Sequence, residues 1–289
     1  MTDVSIVIVS YNTSELLRKC LVSVAEGTGR LTVETVVVDN GSQDGSAAMV
    51  RRQFPDVRII PLDRNTGFSK ANNIGMKHAT GRYVLLLNSD CELDKNTLPE
   101  MAAFLDQKPV AGAATCRLNL SDGSIDPACH RGFPTPWASL AYLSGLERLF
   151  PTTRLFGGYH MGYQKSGSQH EVDCISGAFF MVRKELIRPV GNLDEDYFMY
   201  AEDIDWCYRI KKAGWQIWYN PDVSTVHRKK QSGRRHPERR VRIAAELEFH
   251  RNNLKFYRKH YRHFYNPLVS ALVEAAYAVR LTLLVILGV

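Results

Sequence analysis

A carboxylate follows an unbroken apolar run near the middle of the first half of this 289-residue chain. The run Tyr83–Leu87 shows no polar alternation, which is typical of a strand buried on both faces of a parallel sheet. It ends at Asn88, Ser89 and Asp90, so these residues are expected at the carboxyl edge of a sheet, where open α/β folds bind ligands. Asp90 offers oxygen ligands suited to Mg²⁺ or Mn²⁺ shared with substrate phosphates. A simple turn would explain the same three residues equally well.

A second group of acidic residues supplies six carboxylates within the twelve residues 194–205. A helix predicted over Ile204–Lys212 places Glu202 and Asp203 at its N-terminus, where the helix dipole favours negative charge. Dipole complementation explains one or two of these acids, but not six beside three aromatic side chains. Acids packed among aromatic residues can have a raised pKa, as a general base near neutral pH requires.

His227 ends the last predicted strand, and a basic loop follows it. A lone histidine is usually structural or solvated. At a strand end beside basic residues, however, His227 is a candidate ligand for a metal or a phosphate. Lys229, Lys230 and Ser232 lie in the loop itself.

A βαβ unit opens the chain and positions a second group of polar residues. Strands are predicted at Val4–Val9 and Thr32–Val38, with Thr13 or Ser14 as the N-cap of the helix between them. The loops after both strands should share one edge of the sheet, which places Asp39 where doubly wound folds often bind a ribose or a base. Neither a G-x-G-x-x-G after the first strand nor a phosphate-binding G-x-x-x-x-G-K-[ST] is present, which argues against a dinucleotide fold.

The remaining pattern predicts an α/β fold with further strands and one long irregular region. Strands are expected at Val57–Ile60, Val110–Thr115, Asp173–Arg183, Trp215–Tyr219 and Val223–His227, and a helix at Leu98–Leu105. The small residues around Asn65 and Gly67 would let backbone approach a ligand closely. The irregular region, residues 119–170, is rich in Pro, Gly and aromatic residues and is interpreted as the acceptor-binding part.

The composition indicates a cytosolic protein with an anionic partner. The formal net charge is +7, and basic residues concentrate between Arg228 and Arg262. The six cysteines form no C-x-x-C pair and are expected to be free thiols. The N-terminus enters a strand at once, so no secretory leader is predicted.

Two C-terminal segments favour contact with a membrane. Residues 244–264 form a basic amphipathic helix, which suits an anionic lipid surface. Residues 268–289 are strongly apolar and close to the length of a span, but Glu274 and Arg280 interrupt them. An interfacial or re-entrant segment is therefore favoured over a true span.

Several blocks, taken together and in this order, resemble glycosyltransferase family 2. They are S-I-V-I-V-S-Y-N, V-V-V-D-N-G-S-x-D-G-S, N-x-G-F-x-x-A-N-N-x-G, L-N-S-D, S-G-A-F-F and Y-A-E-D-I-D-W-C-Y-R, within roughly residues 3 to 265. Within the family, the chain is most similar to bacterial rhamnosyltransferases that build O-antigen or cell-wall linkers on polyprenyl-diphosphate carriers. The resemblance implies a GT-A fold: a mostly parallel central sheet flanked by helices. The catalytic domain would be residues 1–240, with a nucleotide-sugar half (1–115) and an acceptor half (116–240), before a membrane-associating segment (241–289).

The resemblance also implies roles for individual residues in an inverting transfer. Asp39 would hydrogen-bond the pyrimidine base, and Asn65 and Gly67 would lie near the ribose and diphosphate. Asn88-Ser89-Asp90 stands where the family has its D-x-D, so a Mg²⁺ or Mn²⁺ would rest mainly on Asp90, with His227 completing its shell. Asp203 would deprotonate the acceptor hydroxyl. The other residues expected to contact the nucleotide are Ser10, Tyr11 and Asn12; those expected to support the site or bind acceptor are Glu202, Asp205, Trp206 and Arg209; those expected to bind phosphate or act as a lid are Lys229, Lys230 and Ser232.

The expected substrates are dTDP-L-rhamnose and a lipid-linked saccharide at the cytoplasmic face of the inner or plasma membrane, with the protein peripheral to it. A UDP-sugar donor stays open because the base-binding residues suit uracil and thymine alike. The net charge would also suit a nucleic-acid-binding protein. The C-terminal aromatic residues, however, are spaced along one face of a helix and do not form a surface on which bases could stack, so no nucleic-acid partner is expected. A non-catalytic membrane scaffold is disfavoured by the complete set Asp90, Asp203 and His227. A homodimer is left open.

Overall fold

Nine strands form one mixed sheet in the part of the chain that the structure, a computed structural model, describes: residues 1–229 and 238–287. The strands are β1 (Val4–Ser10), β2 (Val33–Asp39), β3 (Arg58–Pro61), β4 (Tyr83–Asn88), β5 (Cys91–Leu93), β6 (Ala111–Leu120), β7 (His170–Val172), β8 (Phe179–Arg183) and β9 (Gln216–His227). Their order is β3-β2-β1-β4-β8-β6-β9-β5, and β7 pairs with β9. Helices flank the sheet, as the predicted fold class requires.

The helices of the described residues alternate with these strands over most of the chain. They are α1 (Ser14–Glu26), α2 (Ser46–Gln53), α3 (Phe68–Met76), α4 (Thr97–Gln107), α5 (Pro136–Leu143), α6 (Leu146–Leu149), α7 (Lys184–Val190), α8 (Glu202–Lys212), α9 (Arg239–His260) and α10 (Pro267–Leu287). Helix α8 begins two residues earlier than predicted, so Glu202 and Asp203 lie within its first turn.

The parallel register of the first strands brings the predicted polar residues to one edge. In β1, Ser10 lies opposite Asp39 of β2, and Val9 lies opposite Asn88 of β4. The apolar residues of β1 and β4 are almost fully buried, which confirms both as central strands. The buried runs therefore fix where the polar strand ends meet.

Several strands differ from their prediction: β6 extends to Leu120 instead of ending at Thr115, and β5 and β7 were not predicted. Residues 173–178 lie outside β8, which runs antiparallel between β4 and β6 and is confined to Phe179–Arg183. The expected turn at residues 220–222 is instead a bulge within β9. The consecutive β6 residues Cys116 and Arg117 pair with Asn220 and Ser224, so residues 221–223 have no partner on β6. Pro221 in the bulge has no backbone N–H to give to a ladder, which favours such an irregularity.

The region predicted as irregular contains two helices. Helix α5 begins with Pro136, and the Thr135 side chain accepts a hydrogen bond from the Ala138 N–H at 3.2 Å. A threonine N-cap followed by proline is a helix start signal. The prediction of irregular structure over residues 119–170 was thus wrong at this point, although its sequence carried the signal.

The C-terminal helices pack on the body as an antiparallel pair. Phe256 and Tyr257 of α9 join the main hydrophobic core. Tyr257 and Ser270 share a hydrogen bond between their hydroxyls at 2.9 Å, and Arg258 pairs with Glu274 at 3.2 Å. Within the described residues, α10 is the one helix long and apolar enough to cross a membrane, with a mean hydropathy of 1.8. All six cysteines are buried free thiols, as predicted.

Candidate active site

A chain of hydroxyl groups joins the ends of β1 and β4. Ser10 Oγ lies 3.0 Å from Thr13 Oγ1, which lies 2.9 Å from Ser89 Oγ. Thr13 occupies the N-cap of α1, but its hydroxyl bonds to the two serines and makes no capping hydrogen bond to the helix. The Asp44 carboxylate instead accepts the Ser14 N–H at 2.7 Å, so a residue 30 positions away caps α1.

The loops after β1 and β2 hold each other in place. Asn12 adopts φ 53°, a left-handed conformation that asparagine tolerates better than most residues. Its N–H donates to Ser42 Oγ at 2.9 Å, and its side chain accepts the Gln43 N–H at 2.8 Å. Asp39 is buried and accepts the Ser42 N–H at 3.2 Å, while Tyr11 beside it is exposed. The loops therefore present an ordered polar rim at the carboxyl edge.

Asn65 and Gly67 lie in a network that the sequence did not reveal. The Asn40 amide donates to Asn65 Oδ1 at 3.0 Å and to the Gly67 carbonyl at 3.2 Å. Gly67 adopts φ +89°, and a side chain there would come within 2.7 Å of the Phe198 carbonyl oxygen. Only glycine fits such a position without strain. The side chain of Asn65 is thus engaged in shaping the loop itself.

Helix α3 anchors the loop that leads to the acidic block. The Phe68 N–H donates to the Phe198 carbonyl at 2.6 Å, and Ser69 Oγ donates to the Tyr197 carbonyl at 2.7 Å. Asn73 donates to the Leu193 carbonyl at 2.8 Å. The motif that surrounds Asn65 therefore couples the loops at the carboxyl edge of β2 to the segment before Asp203.

Asp90 and His227 meet because β5 and β9 pair antiparallel. Cys91 lies opposite His227 in this ladder, which brings the Asp90 carboxylate to 3.4 Å from His227 Nε2. The other ring nitrogen, Nδ1, donates to Asp126 at 2.9 Å. Burial disfavours the imidazolium, but the hydrogen bonds to Asp126 and Asp90 raise the pKa of His227 to about 9.

Asp126 is a fully buried carboxylate with two cationic partners. Besides His227, it accepts from Lys229 Nζ at 2.7 Å. Burial opposes its charge, yet His227 and Lys229 hold the pKa of Asp126 well below its usual range. Lys229 adopts φ 40° at the end of this segment. The other two predicted phosphate or lid residues, Lys230 and Ser232, lie outside the described residues.

Asp90, Cys91 and His227 place ligand atoms within 4.8 Å of one another. The Cys91 thiol donates to the Ala178 carbonyl at 3.4 Å, and burial raises its pKa well above the usual value. Cys91 is therefore a neutral thiol that already donates to a backbone carbonyl, which makes it a poor metal ligand. Asp90 and His227 offer a carboxylate oxygen and an imidazole nitrogen, a pair of ligands that fits Mn²⁺ once Nε2 has given up its proton.

Asp203 is held by a buried arginine. Arg131 Nη2 donates to Asp203 Oδ2 at 2.9 Å, and both side chains are largely buried. Tyr200 and Ala201, immediately before the acidic pair, adopt left-handed φ values of 74° and 67°. Such conformations in non-glycine residues cost of the order of 1 kcal/mol each and concentrate at functional sites. The start of α8 is thus an unusually constrained place for a carboxylate.

The other predicted residues of the acidic block are buried in support positions. Asp205 is fully buried and receives hydrogen bonds from Arg209 at 2.8 Å and from Lys259 and His260 at 2.7 Å each. Burial opposes its charge, but these partners lower the pKa of Asp205 to about 2. Trp206 is also fully buried and donates to the Gly191 carbonyl. These positions fit support of the fold rather than contact with an acceptor.

Comparison with known proteins places this geometry in a family. The sequence profile described as Glycosyl transferase family 2 matches residues 5–189. This chain belongs to glycosyltransferase family 2.

Two curated relatives of this family 2 glycosyltransferase are rhamnosyltransferases. An N-acetylglucosaminyl-diphospho-decaprenol L-rhamnosyltransferase of Mycobacterium tuberculosis is 30% identical over 266 residues, covering 82% of this chain and 80% of the relative. Rhamnosyltransferase WbbL of Escherichia coli K12 is 26% identical over 170 residues, covering 56% of this chain and 60% of its own. The enzyme is accordingly a hexosyltransferase that resembles rhamnosyltransferases.

A solved structure shares the GT-A fold of this glycosyltransferase. It is the mannosyltransferase PcManGT from Pyrobaculum calidifontis in complex with GDP-Man and Mn²⁺. The TM-score is 0.60 at 21% identity, over 95% of this chain and 69% of the other. At that identity, the likeness concerns the fold alone.

Glu202 of the glycosyltransferase offers a test by pH. It is buried, its Oε2 has no hydrogen-bond partner within the described residues, and burial together with Asp203 raises its pKa well above its usual range. The folded protein therefore keeps a proton that the unfolded chain releases near pH 4.5, and stability falls as the pH rises above that value.

We expect Glu202→Gln to remove this loss and to raise the free energy of unfolding by at least about 1 kcal/mol at pH 8. Chemical denaturation between pH 5 and pH 8 measures it, with Glu100→Gln on the exposed face of α4 as the control for the same chemical change. Parallel pH profiles for wild type and Glu202→Gln would show that Glu202 is already charged in the folded protein.

Proposed function

We propose that this glycosyltransferase moves L-rhamnose from dTDP-L-rhamnose to a saccharide carried on a polyprenyl diphosphate, with inversion at the anomeric carbon and with Mn²⁺ or Mg²⁺. The observation that carries the proposal is the pairing of two sites in one fold. One is Asp90 beside His227, and the other is Asp203 held by Arg131. The relative from M. tuberculosis, named for L-rhamnosyl transfer to a decaprenol-linked sugar, supports the choice of donor and acceptor.

The donor nucleotide would lie along the ends of β1 and β2. Asp39 would accept a hydrogen bond from the N3–H of a thymine or uracil ring, and the exposed Tyr11 ring would cover the base. Asn65 and Gly67 would line the ribose side through backbone atoms, because the Asn65 side chain is engaged with Asn40. Ser10 and Asn12 would keep the loop in place beneath the base.

Asp90 and His227 would hold the metal ion together with the donor diphosphate. When bound, the ion neutralises the charge that develops on the departing nucleoside diphosphate. Asp126 keeps His227 Nδ1 engaged, so that Nε2 stays directed toward Asp90. Asn88 and Ser89 would contribute contacts to the same diphosphate, and Lys229, Lys230 and Ser232 would bind its phosphates or act as a lid, as the resemblance to the family implies.

Asp203 would act as the general base. Its carboxylate takes the proton of the acceptor hydroxyl as the oxygen attacks the anomeric carbon in line with the breaking bond to the diphosphate. One bond forms and one breaks in a single displacement, which inverts the anomeric centre. Arg131 fixes Oδ2 of this carboxylate and the Ile204 N–H donates to Oδ1 at 2.8 Å, so the base would be held in one orientation toward the acceptor. Glu202, Asp205, Trp206 and Arg209 would hold the block that carries this base.

A lipid-linked acceptor would confine the enzyme to the cytoplasmic face of the membrane as a peripheral protein. Helix α10 supports this location, since only 11% of its apolar window is buried. Its face toward the protein carries Val273, Tyr277 and Leu284, while Leu272 and Val279 on its outer side are exposed. A helix that lies along the protein with an apolar outer side fits the interfacial arrangement better than a span.

Calorimetric titration of the full chain with dTDP and with UDP, each with Mn²⁺, Mg²⁺ or a chelator, tests the proposal. We expect dTDP to bind more tightly than UDP and to require the metal. A preference for UDP would keep the enzyme class and overturn the donor. If neither nucleotide binds with metal present, the residues assigned here do not form a nucleotide-binding site.

A further inference from the structure

Helices α5 and α6, with the loop that follows them, expose an apolar surface that the proposed chemistry does not use. We call it the insertion surface. Six of its large apolar side chains are between 47% and 71% exposed: Trp137, Leu140, Leu143, Leu149, Phe150 and Leu155. Soluble proteins seldom expose so many in one short stretch, and such patches mark interaction sites.

The exposed charges within the segment that carries the insertion surface, residues 132–169, are all of one sign. Between Gly132 and Gln169, the exposed ionisable side chains with permanent charge are Arg148, Arg154 and Lys165. The single acidic residue in this range, Glu147, is buried and bound to His160 at 3.0 Å. The nearest partly exposed carboxylates outside this range, Glu171 and Asp173, are both paired with Lys211. An apolar surface with cations and no exposed carboxylate of its own complements an anionic lipid bilayer.

The aromatic residues on the surface are of the interfacial kind. Trp137 is half exposed, and its indole N–H donates to the Leu155 carbonyl at 2.7 Å. Trp and Tyr are enriched at the level of lipid headgroups because each combines a large ring with a polar group. Trp137 therefore has the chemistry expected at a membrane boundary.

The segment that carries the insertion surface and helix α10 both pack on α9. Phe133, just before α5, stacks on Phe256 of α9 with ring centroids 6.5 Å apart. Tyr277 of α10 contacts His250 of α9, with ring centroids 6.3 Å apart. The two exposed apolar elements are therefore attached to one helix, which gives the protein two points of contact with one surface.

The segment that carries the insertion surface begins beside Asp203. Arg131, which binds Asp203, precedes the insertion directly, and the Gly132 N–H donates to the Tyr159 carbonyl at 2.9 Å. A side chain at Gly132 would come within 2.1 Å of the Gly158 carbonyl oxygen, so the two ends of the insertion pack closely here. A surface that contacts the bilayer at this point would hold the base near the headgroup level.

We infer that the insertion surface docks into an anionic phospholipid bilayer together with α10, as a second membrane contact that brings Asp203 to acceptors whose diphosphate lies in the headgroup layer. The inference deepens the proposed membrane location and rests on it. A second copy of this chain is the competing occupant, and the charge pattern disfavours it, since two such surfaces would bring like charges together.

Tryptophan fluorescence tests where the surface lies. The full chain, with four tryptophans, is bound to phosphatidylglycerol vesicles with bromine on the acyl chains. Brominated chains should quench wild-type fluorescence clearly more than that of Trp137→Phe, because Trp137 would lie near the acyl region. Equal quenching of the two proteins on vesicles that bind both would place the insertion outside the bilayer and overturn the inference.

Partitioning onto the same vesicles without bromine tests the energetic contribution. We expect the double variant Leu143→Ser, Leu149→Ser to bind about tenfold or more weakly than wild type. The control is Val22→Ser, Val110→Ser, which changes two exposed apolar residues on α1 and before β6 and should bind like wild type. Loss of self-association in the Leu143 and Leu149 variant, with vesicle binding unchanged, would assign the surface to a second copy instead.

Nucleotide binding separates this inference from the proposed function. All three variants should bind dTDP with Mn²⁺ like wild type, since the substitutions lie away from the ends of β1, β2 and β4. Vesicle binding without nucleotide binding would overturn the function and keep the docking surface. If the proteins bind nucleotide but the Leu143 and Leu149 variant partitions onto vesicles like wild type, the proposed function stands and the docking surface is overturned.

Discussion

Replacing Asp203 with asparagine is expected to abolish sugar transfer while donor binding stays close to that of wild type. Asparagine keeps the shape of the side chain and can still accept from Arg131, but it cannot take the proton of the acceptor hydroxyl. Loss of a general base typically lowers a rate by about 10²–10⁴-fold. We expect the upper part of that range, because the side chain is largely buried and little water can replace the base.

The measurement combines transfer rates at saturating donor with calorimetric binding of dTDP and Mn²⁺. Asp196→Asn is the matched control, since Asp196 is an exposed member of the same acidic segment and should transfer sugar normally. Weakened donor binding in Asp203→Asn would make this carboxylate a donor ligand rather than the base. Transfer at the wild-type rate would show that another residue is the general base, and the adjacent, buried Glu202 would be the first alternative to test.

Local patterns were sufficient to predict the carboxyl edge of the sheet. The apolar runs that became β1, β2 and β4 have no polar interruption, so their ends could be located to within one residue from the chain alone. Parallel pairing then places Ser10, Asp39 and Asn88 together without further information. This is the part of the site that depends only on which residues end each strand.

Arg131 and Asp126 could not be found in this way because their partners are distant in the chain. Arg131 binds a residue 72 positions away, and Asp126 binds His227 across 101 positions. Both lie in the region predicted as irregular, where no periodicity indicates which side chains are buried. A charged residue in such a region usually faces solvent, and only the packed fold shows that these two do not.

The sequence marks the acidic block as a unit but does not show that its members have different surroundings. Asp203 and Asp205 are two positions apart, so they point to different sides of α8. Asp203 meets Arg131, whereas Asp205 meets Lys259 and His260 of α9. The same residue type therefore serves a proposed chemical step at one position and the attachment of a C-terminal helix at the other.

The second large effect is expected at Asp90 and His227, the proposed metal ligands. Asp90→Ala should reduce the affinity for Mn²⁺ in the presence of dTDP by about 100-fold or more, because one of the two proposed protein ligands is lost. The prediction for Asp126→Asn is sharper. Asp126 would not touch the ion, but it fixes the His227 ring through Nδ1, and loss of such a partner typically costs about 10–100-fold in metal affinity.

Titration of Mn²⁺ followed by electron paramagnetic resonance of the free ion measures both variants without reference to catalysis. Asp122→Asn, an exposed change four residues earlier in the same loop, should bind Mn²⁺ like wild type. Thermal unfolding identifies any variant whose loss of binding follows from loss of fold, which matters for Asp126 because Lys229 would be left beside a neutral amide. If Asp126→Asn binds Mn²⁺ like wild type while Asp90→Ala does not, His227 is not a ligand, and its contact with Asp126 serves the packing of β9 alone.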